Sequence, residues 1–191
     1  AEAYPKLALS GSEIFSAGLR YAKTRVTRAD FMQMDARQIP FKNEFDAIGA
    51  FDVLEHIDDD VITLAQLYNA LNPSGLLFLT VPQHPWLWSA HDEYACHFRR
   101  YTSQELESKV RTAGFRILRN TSFVSTLLPA MALSRLINQS GAADFDPAKE
   151  HRINPLLNKL FYSFLNLEMA GIKIGLNYPV GGSRLLIGKK D

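Results

Sequence analysis

At 191 residues, with 47% hydrophobic and 21% charged side chains, the chain has the size and make-up of one globular domain able to bury a substantial core. Its formal charge of +1 argues against a nucleic-acid binder, because phosphate contacts need a clear basic excess. The longest apolar stretch, 123–133, is broken by Pro129 and falls short of the roughly 20 residues that cross a bilayer.

No signal peptide is expected, and the single cysteine, Cys96, cannot close an internal disulfide, so a reducing, cytoplasmic setting is expected. Cys96 itself reads as a small buried hydrophobe rather than a nucleophile. Charge is uneven: 44–60 is acidic, whereas 99–119 carries Arg99, Arg100, Lys109, Arg111, Arg116 and Arg119. Two separately solvated faces are expected.

Lys6 to Gly11 is a short apolar run closed by Ser12-Glu13 and predicts a buried strand and a turn. Ser16 to Arg25 predicts a helix, Val26 to Met34 a second strand stopping at Asp35, and Asp46 to Val53 a third strand. Asp58-Asp59-Asp60 suits the positive N-terminal end of a helix whose apolar face is Val61, Leu64, Leu67, Tyr68 and Leu71. Asn72-Pro73-Ser74-Gly75 predicts a turn into the strand Leu76 to Val81. Thr102 and Glu105 have the spacing of a capping box, with Tyr101 and Leu106 as its hydrophobic staple. Leu106, Val110 and Ala113 face inward, and Gly114 ends that helix before the strand Phe115 to Ser122.

Two apolar helices are then predicted, 123–138 and 155–174, joined by a polar link with Gly141, Asp144, Asp146 and Pro147. Asn154 and Pro155 mark the start of the second, and Leu156, Leu157, Leu160, Phe161, Phe164, Leu167 and Ile172 form a stripe expected to serve as core or lid. Pro179-Val180-Gly181-Gly182 turns into a last strand, Ser183 to Gly188. Alternating strands and helices imply an α/β fold with a doubly wound, mostly parallel sheet. Ligands in such a sheet bind beyond the carboxyl ends of the strands.

Three predicted strands end in a carboxylate: Glu13, Asp35 and Asp52. Each alone serves equally well as a turn or cap residue. Acids at consecutive strand ends suit a nucleoside, whose ribose hydroxyls and adenine amino group donate hydrogen bonds.

The segment 45–57, Phe45-Asp46-Ala47-Ile48-Gly49-Ala50-Phe51-Asp52-Val53-Leu54-Glu55-His56-Ile57, resembles the fourth-strand motif of class I S-adenosylmethionine-dependent methyltransferases. Leu71-Asn72-Pro73-Ser74-Gly75-Leu76-Leu77 resembles their fifth-strand motif, and Ser10-Gly11-Ser12-Glu13-Ile14 the end of their second strand. The stretches 81–89 and 97–102, with Pro179-Val180-Gly181-Gly182-Ser183, are similar to a subgroup acting on small molecules. The resemblance covers nearly the whole chain, as one domain over 1–191 with a helical insertion at 123–177.

The resemblance implies S-adenosylmethionine as cofactor, held through Glu13 and Ile14 at the ribose, Asp35 and Ala36 at the adenine, and Phe51, Asp52 and Val53 at the methionine end. It also implies a last strand antiparallel to its neighbours and a central first strand with a glycine-rich loop. Neither that strand nor a G-x-G is found before Lys6, so a domain truncated at its N-terminus, with impaired cofactor binding, is expected. A nicotinamide-dependent Rossmann oxidoreductase and a non-catalytic methyltransferase-like fragment are the rivals. An antiparallel last strand separates the first of them from a methyltransferase.

His56 and His97 are the candidate bases, since neutral imidazole accepts protons near pH 7. Arg100, beside Arg99, suits an anionic acceptor, and Trp88, with Trp86 and Tyr94, either lines a pocket or anchors a loop. No metal is expected: His84, His91, Asp92 and His97 match no compact ligand spacing. A small-molecule acceptor is expected, with no nucleic acid and no transmembrane segment; docking of the apolar helical pair on a membrane surface is the weaker alternative to core or lid.

Overall fold

The computed structural model describes residues 3–137 and 154–191; the polar link expected between the apolar helices lies outside them. The elements are β1 (Ser10–Glu13), α1 (Ser16–Arg25), β2 (Asp30–Gln33), β3 (Phe45–Phe51), α2 (Asp60–Ala70), β4 (Leu71–Pro82), α3 (Ala90–Tyr94), α4 (Ser103–Thr112), β5 (Phe115–Phe123), α5 (Leu128–Ile137), α6 (Pro155–Lys173) and β6 (Ser183–Lys190). Short 3-10 turns at Leu54–His56 and Pro85–Leu87 follow β3 and β4.

The strands form two ladders, a parallel β1-β2 pair and a four-stranded sheet ordered β3-β4-β6-β5. β3 runs parallel to β4, whereas β6 is antiparallel to both β4 and β5. The antiparallel last strand is therefore present, as the methyltransferase fold requires. Among the described residues no strand joins β1 to β3, and each is paired on one side only.

The core sits around β4. Leu77, Leu79 and Val81 are buried and alternate with half-buried Leu76, Phe78 and Thr80, the period of two of a pleated strand. Leu64 and Leu67 of α2, Leu106 and Val110 of α4, and Leu186 of β6 close around them. At the other end of β6, the buried ammonium of Lys190 donates to Asn43 Oδ1 and the Tyr68 and Leu71 carbonyls at 2.8–2.9 Å, so all three of its protons are satisfied.

Of the capping box expected for α4, the Thr102 half is present, its Oγ1 accepting from the Glu105 amide at 3.1 Å, whereas the Glu105 side chain pairs with Lys109; the helix ends at Gly114 with φ +103°. Tyr101 and Leu106 are fully buried, as a staple requires. Asn154 caps α6 by accepting from the Leu156 amide at 2.9 Å.

Four expectations are corrected. The run 6–11 is not a buried strand: β1 begins at Ser10 and is at most half-buried, because it has a single ladder partner. The α6 stripe is not core: Leu156 is 79% and Leu167 71% exposed, and burial is confined to Glu168, Gly171 and Ile172 near the helix end. There Glu168 accepts from the Ser125 and Thr126 amides and so anchors α6 to the start of α5. Cys96 is exposed, at a left-handed φ of +56°. The acidic and basic segments are not two separate faces, since Arg99 and Lys109 pair with Asp58 and Asp60.

Candidate active site

The site is built from the carboxyl ends of β3 and β4. β3 ends at Phe51, and Asp52 takes a left-handed φ of +52°, an unusual conformation for a residue with a side chain. The turn is held from β4: the Asp52 amide donates to the Thr80 carbonyl and hydroxyl, and the Thr80 hydroxyl donates to Asp52 Oδ1 at 3.1 Å. The chain then enters the 3-10 turn that carries Glu55 and His56. Buried Tyr101 fixes that turn, its hydroxyl lying 2.8 Å from Asp60 Oδ2 and 3.3 Å from the Leu54 carbonyl.

A cleft of about 370 Å³ opens here, lined by Asp52, Glu55, His56, His91, His97 and Arg100, with Met131 of α5 and Gly182 and Ser183 at the start of β6. A second hollow, about 450 Å³, lies between Lys23 and Phe31 at the opposite ends of the small ladder and contains none of the motif residues.

His97 is oriented by a buried relay. Its Nδ1 lies 2.9 Å from Asp92 Oδ1, the geometry of an Nδ1–H donated to the carboxylate. Asp92 is fully buried and also accepts from Arg100 Nε at 2.8 Å and from the Ser89 amide and hydroxyl. Burial pushes the Asp92 carboxyl up, but the Arg100 hydrogen bond and charge outweigh it and hold the group below its ordinary value. The His56 and His97 rings meet edge to face, centroids 4.6 Å apart. Burial, then the neighbouring His97, lowers the His56 pKa, which keeps its imidazole neutral at pH 7.

Glu55 was not singled out by sequence reasoning. It is 1% exposed, and its Oε2 has no hydrogen-bond partner among the described residues. Burial foremost, with Asp52 nearby, pushes its carboxyl up to about 8. Its only signal in the sequence is an acid sandwiched between Leu54 and His56 in an otherwise apolar turn.

Of the predicted residues, Asp52, His56, His97 and Arg100 line one cleft. Arg100 is committed to Asp92 and the Gln83 carbonyl rather than free for an anion, because its buried head needs those partners. Phe51 is 61% exposed, its ring folded over Gly49, while Val53 packs against the core.

Glu13 ends β1 in register with Gln33, its carbonyl accepting from the Met34 amide, and Asp35 follows β2 by two residues at the same end of the ladder. Glu13 Oε1 accepts from the Phe15 amide. The Asp35 carboxylate accepts from the Arg37 guanidinium at 2.7 Å, which holds it below the usual range. Ile14 is exposed and Ala36 half-buried beside them. These four residues are not among those lining the cleft, and neither is Trp88, which is 36% exposed.

A sheet in which β3 and β4 run parallel and the last strand lies antiparallel between β4 and β5 has the class I methyltransferase arrangement and not that of a nicotinamide oxidoreductase. Residues 7–120 match the family model described as a methyltransferase domain, and the chain belongs to that family. Solved structures of similar fold include an S-adenosylmethionine-dependent methyltransferase from Mesorhizobium loti (12% identity, 96% of this chain and 80% of that one, TM-score 0.60). Another is phosphoethanolamine N-methyltransferase 2 of Haemonchus contortus with S-adenosyl-L-methionine (18% identity, 95% and 43% covered, TM-score 0.56). The 4+2 cyclase SpnF is also similar (23% identity, 96% and 67% covered, TM-score 0.58), so likeness of fold does not by itself specify the reaction. No curated protein sequence matches significantly.

Proposed function

We propose that the chain serves S-adenosylmethionine-dependent methyl transfer to a small-molecule acceptor in the cleft at the end of β3. The observation carrying this reading is the convergence of strained Asp52 with the His56 and His97 imidazoles at the strand ends of a methyltransferase-family domain. Glu13 and Asp35, on adjacent strand ends, suit the ribose hydroxyls and adenine amino group, with Ile14 and the Ala36 backbone beside them. Phe51, Asp52 and Val53 suit the methionine end.

When bound, the cofactor supplies an electrophilic methyl group on a sulfonium. Any proton given up by the acceptor on methylation would pass to the imidazole of His97 or His56. Positioning supplies most of the rate in such a transfer. His97 is suited to the proton because Asp92 binds its Nδ1 edge and orients the ring. Arg100 acts by holding Asp92, and Trp88 is proposed to contact the acceptor.

The sequence contains no G-x-G, and β1 and β3 each have one ladder neighbour, so these 191 residues are proposed to hold the cofactor weakly. The test is transfer of a labelled methyl group from S-adenosylmethionine, at concentrations on the order of 1 mM, to a pool of small amines, alcohols and carboxylic acids. Label should enter the small-molecule fraction, and His97→Ala should slow it about 100-fold or more. Absence of label, or a rate unchanged in His97→Ala, contradicts the proposal.

A further inference from the structure

We infer that Glu55, His56 and His97 form a binding site for one divalent transition-metal ion, of the zinc or cobalt type, in the wall of the cleft. One ligand atom from each of the three side chains lies within 4.8 Å of the others. Tetrahedral coordination at about 2.0–2.1 Å needs separations of roughly 3.3 Å, so closure requires movements within the reach of side-chain rotation. Two imidazoles and one carboxylate are the donor set that borderline divalent ions select, in contrast to the all-oxygen sets of magnesium and calcium.

Two independent features point to a cation. Glu55 is 1% exposed, yet Oε2 has no partner among the described residues, although buried carboxylate oxygens are ordinarily satisfied. A cation at this position supplies what that oxygen lacks. The imidazoles are also prepared as ligands. His97 Nδ1 donates to buried Asp92, which leaves Nε2 as the nitrogen available to an ion, and the Ala95 carbonyl stands against the His56 ring as acceptor. Carboxylate and backbone-carbonyl acceptors behind metal-bound imidazoles are the usual means of orienting them.

The set differs from the one weighed on sequence spacing. His84 and His91 are not part of it, and Asp92 stands behind His97 rather than facing the ion. Glu55 enters only because the turn after β3 brings its carboxylate toward a histidine 42 positions along the chain.

Three protein ligands leave coordination positions facing the cleft. If the methyl-transfer reading holds, an acceptor oxygen or nitrogen would occupy one. The ion would then raise the acidity of the acceptor, and the imidazoles would serve as ligands in place of acting as bases. The metal site itself does not depend on that reading.

The test uses the full chain, stripped with a chelator and free of cofactor, titrated with Zn2+ by calorimetry and with Co2+ by visible absorption. One ion per chain is expected, with a dissociation constant on the order of 1 μM or tighter. Glu55→Gln and His97→Ala should each weaken binding by about tenfold or more. Glu55→Gln replaces an unpartnered oxygen with a neutral amide, so its thermal melt without metal should match or exceed that of the wild type, separating lost ligation from lost fold. Cys96→Ser should bind as the wild type does. No binding up to about 1 mM, unchanged affinity in Glu55→Gln, or a thiolate–cobalt band abolished by Cys96→Ser would each overturn the assignment. Because no methyl transfer is measured, failure here leaves the proposed reaction standing, and an inactive enzyme that binds the ion leaves the site standing.

Discussion

Replacing Asp60 by alanine removes the oxygen at which three donors meet: the Tyr101 hydroxyl at 2.8 Å, Arg99 Nη1 at 3.0 Å and Lys109 Nζ. Asp60 is 2% exposed and Tyr101 0%, whereas the Arg99 and Lys109 side chains retain 23% and 21% of their exposure. Stranding a buried charge costs about 3–5 kcal/mol. Both cations here keep a route to water, so their combined share falls to about 1 kcal/mol. The Tyr101 hydroxyl has no such route and keeps only its longer, 3.3 Å contact with the Leu54 carbonyl, so losing its main acceptor costs about 1–3 kcal/mol. Asp60→Ala should therefore lose about 3 kcal/mol in urea unfolding at pH 7, and Asp60→Asn, which still accepts from Tyr101, about 1 kcal/mol.

Acid provides a second check on the same group. Burial raises the Asp60 pKa, but hydrogen bonds from Lys109 and Tyr101 outweigh it and leave the group below its ordinary value. Its contribution is thus fully present above the unfolded pKa of about 3.9 and is lost as pH falls through the folded one. The gap between wild type and Asp60→Asn should narrow over that window. A gap that stays constant, or an Asp60→Ala loss within about 0.5 kcal/mol, would refute the reasoning.

Further outcomes concern the site and its supports. Asp92→Ala strands Arg100, whose side chain is 5% exposed, and should cost about 3–5 kcal/mol by the same urea assay. A Cβ at Gly181 would lie 2.3 Å from the Phe123 carbonyl oxygen, whereas one at Gly182 meets the flexible end of Met131 at 2.7 Å. Gly181→Ala should accordingly lose about 1–3 kcal/mol in thermal melts and Gly182→Ala clearly less. Asp52→Gly relieves a left-handed backbone but gives up the Thr80 hydroxyl bond, so it should melt within about 1 kcal/mol of wild type while losing methyl-transfer activity.

Local rules made part of the fold readable. The cap at Thr102, the stop at Gly114 and the Asn154-Pro155 start each depend on a few neighbouring residues, and each is found as expected. The errors arose where burial depends on distant partners. Lys6 to Gly11 and the α6 stripe are apolar enough for a core, but too little of the described structure packs over them. The site was legible in the same uneven way. His56 and His97 stood out by residue type, whereas the Asp92–His97 relay and the unpartnered Glu55 oxygen exist only once the chain after β4 folds back over the end of β3.

An amide-resolved NMR titration with S-adenosylhomocysteine tests most directly where a nucleoside cofactor sits. Raising the ligand to on the order of 1 mM should shift the amides of Glu13, Ile14, Asp35, Ala36, Phe51, Asp52 and Val53 together, along one saturation curve. Shifts confined to one of the two strand-end groups, or scattered over the surface without saturation, would contradict a single adenosine-binding site.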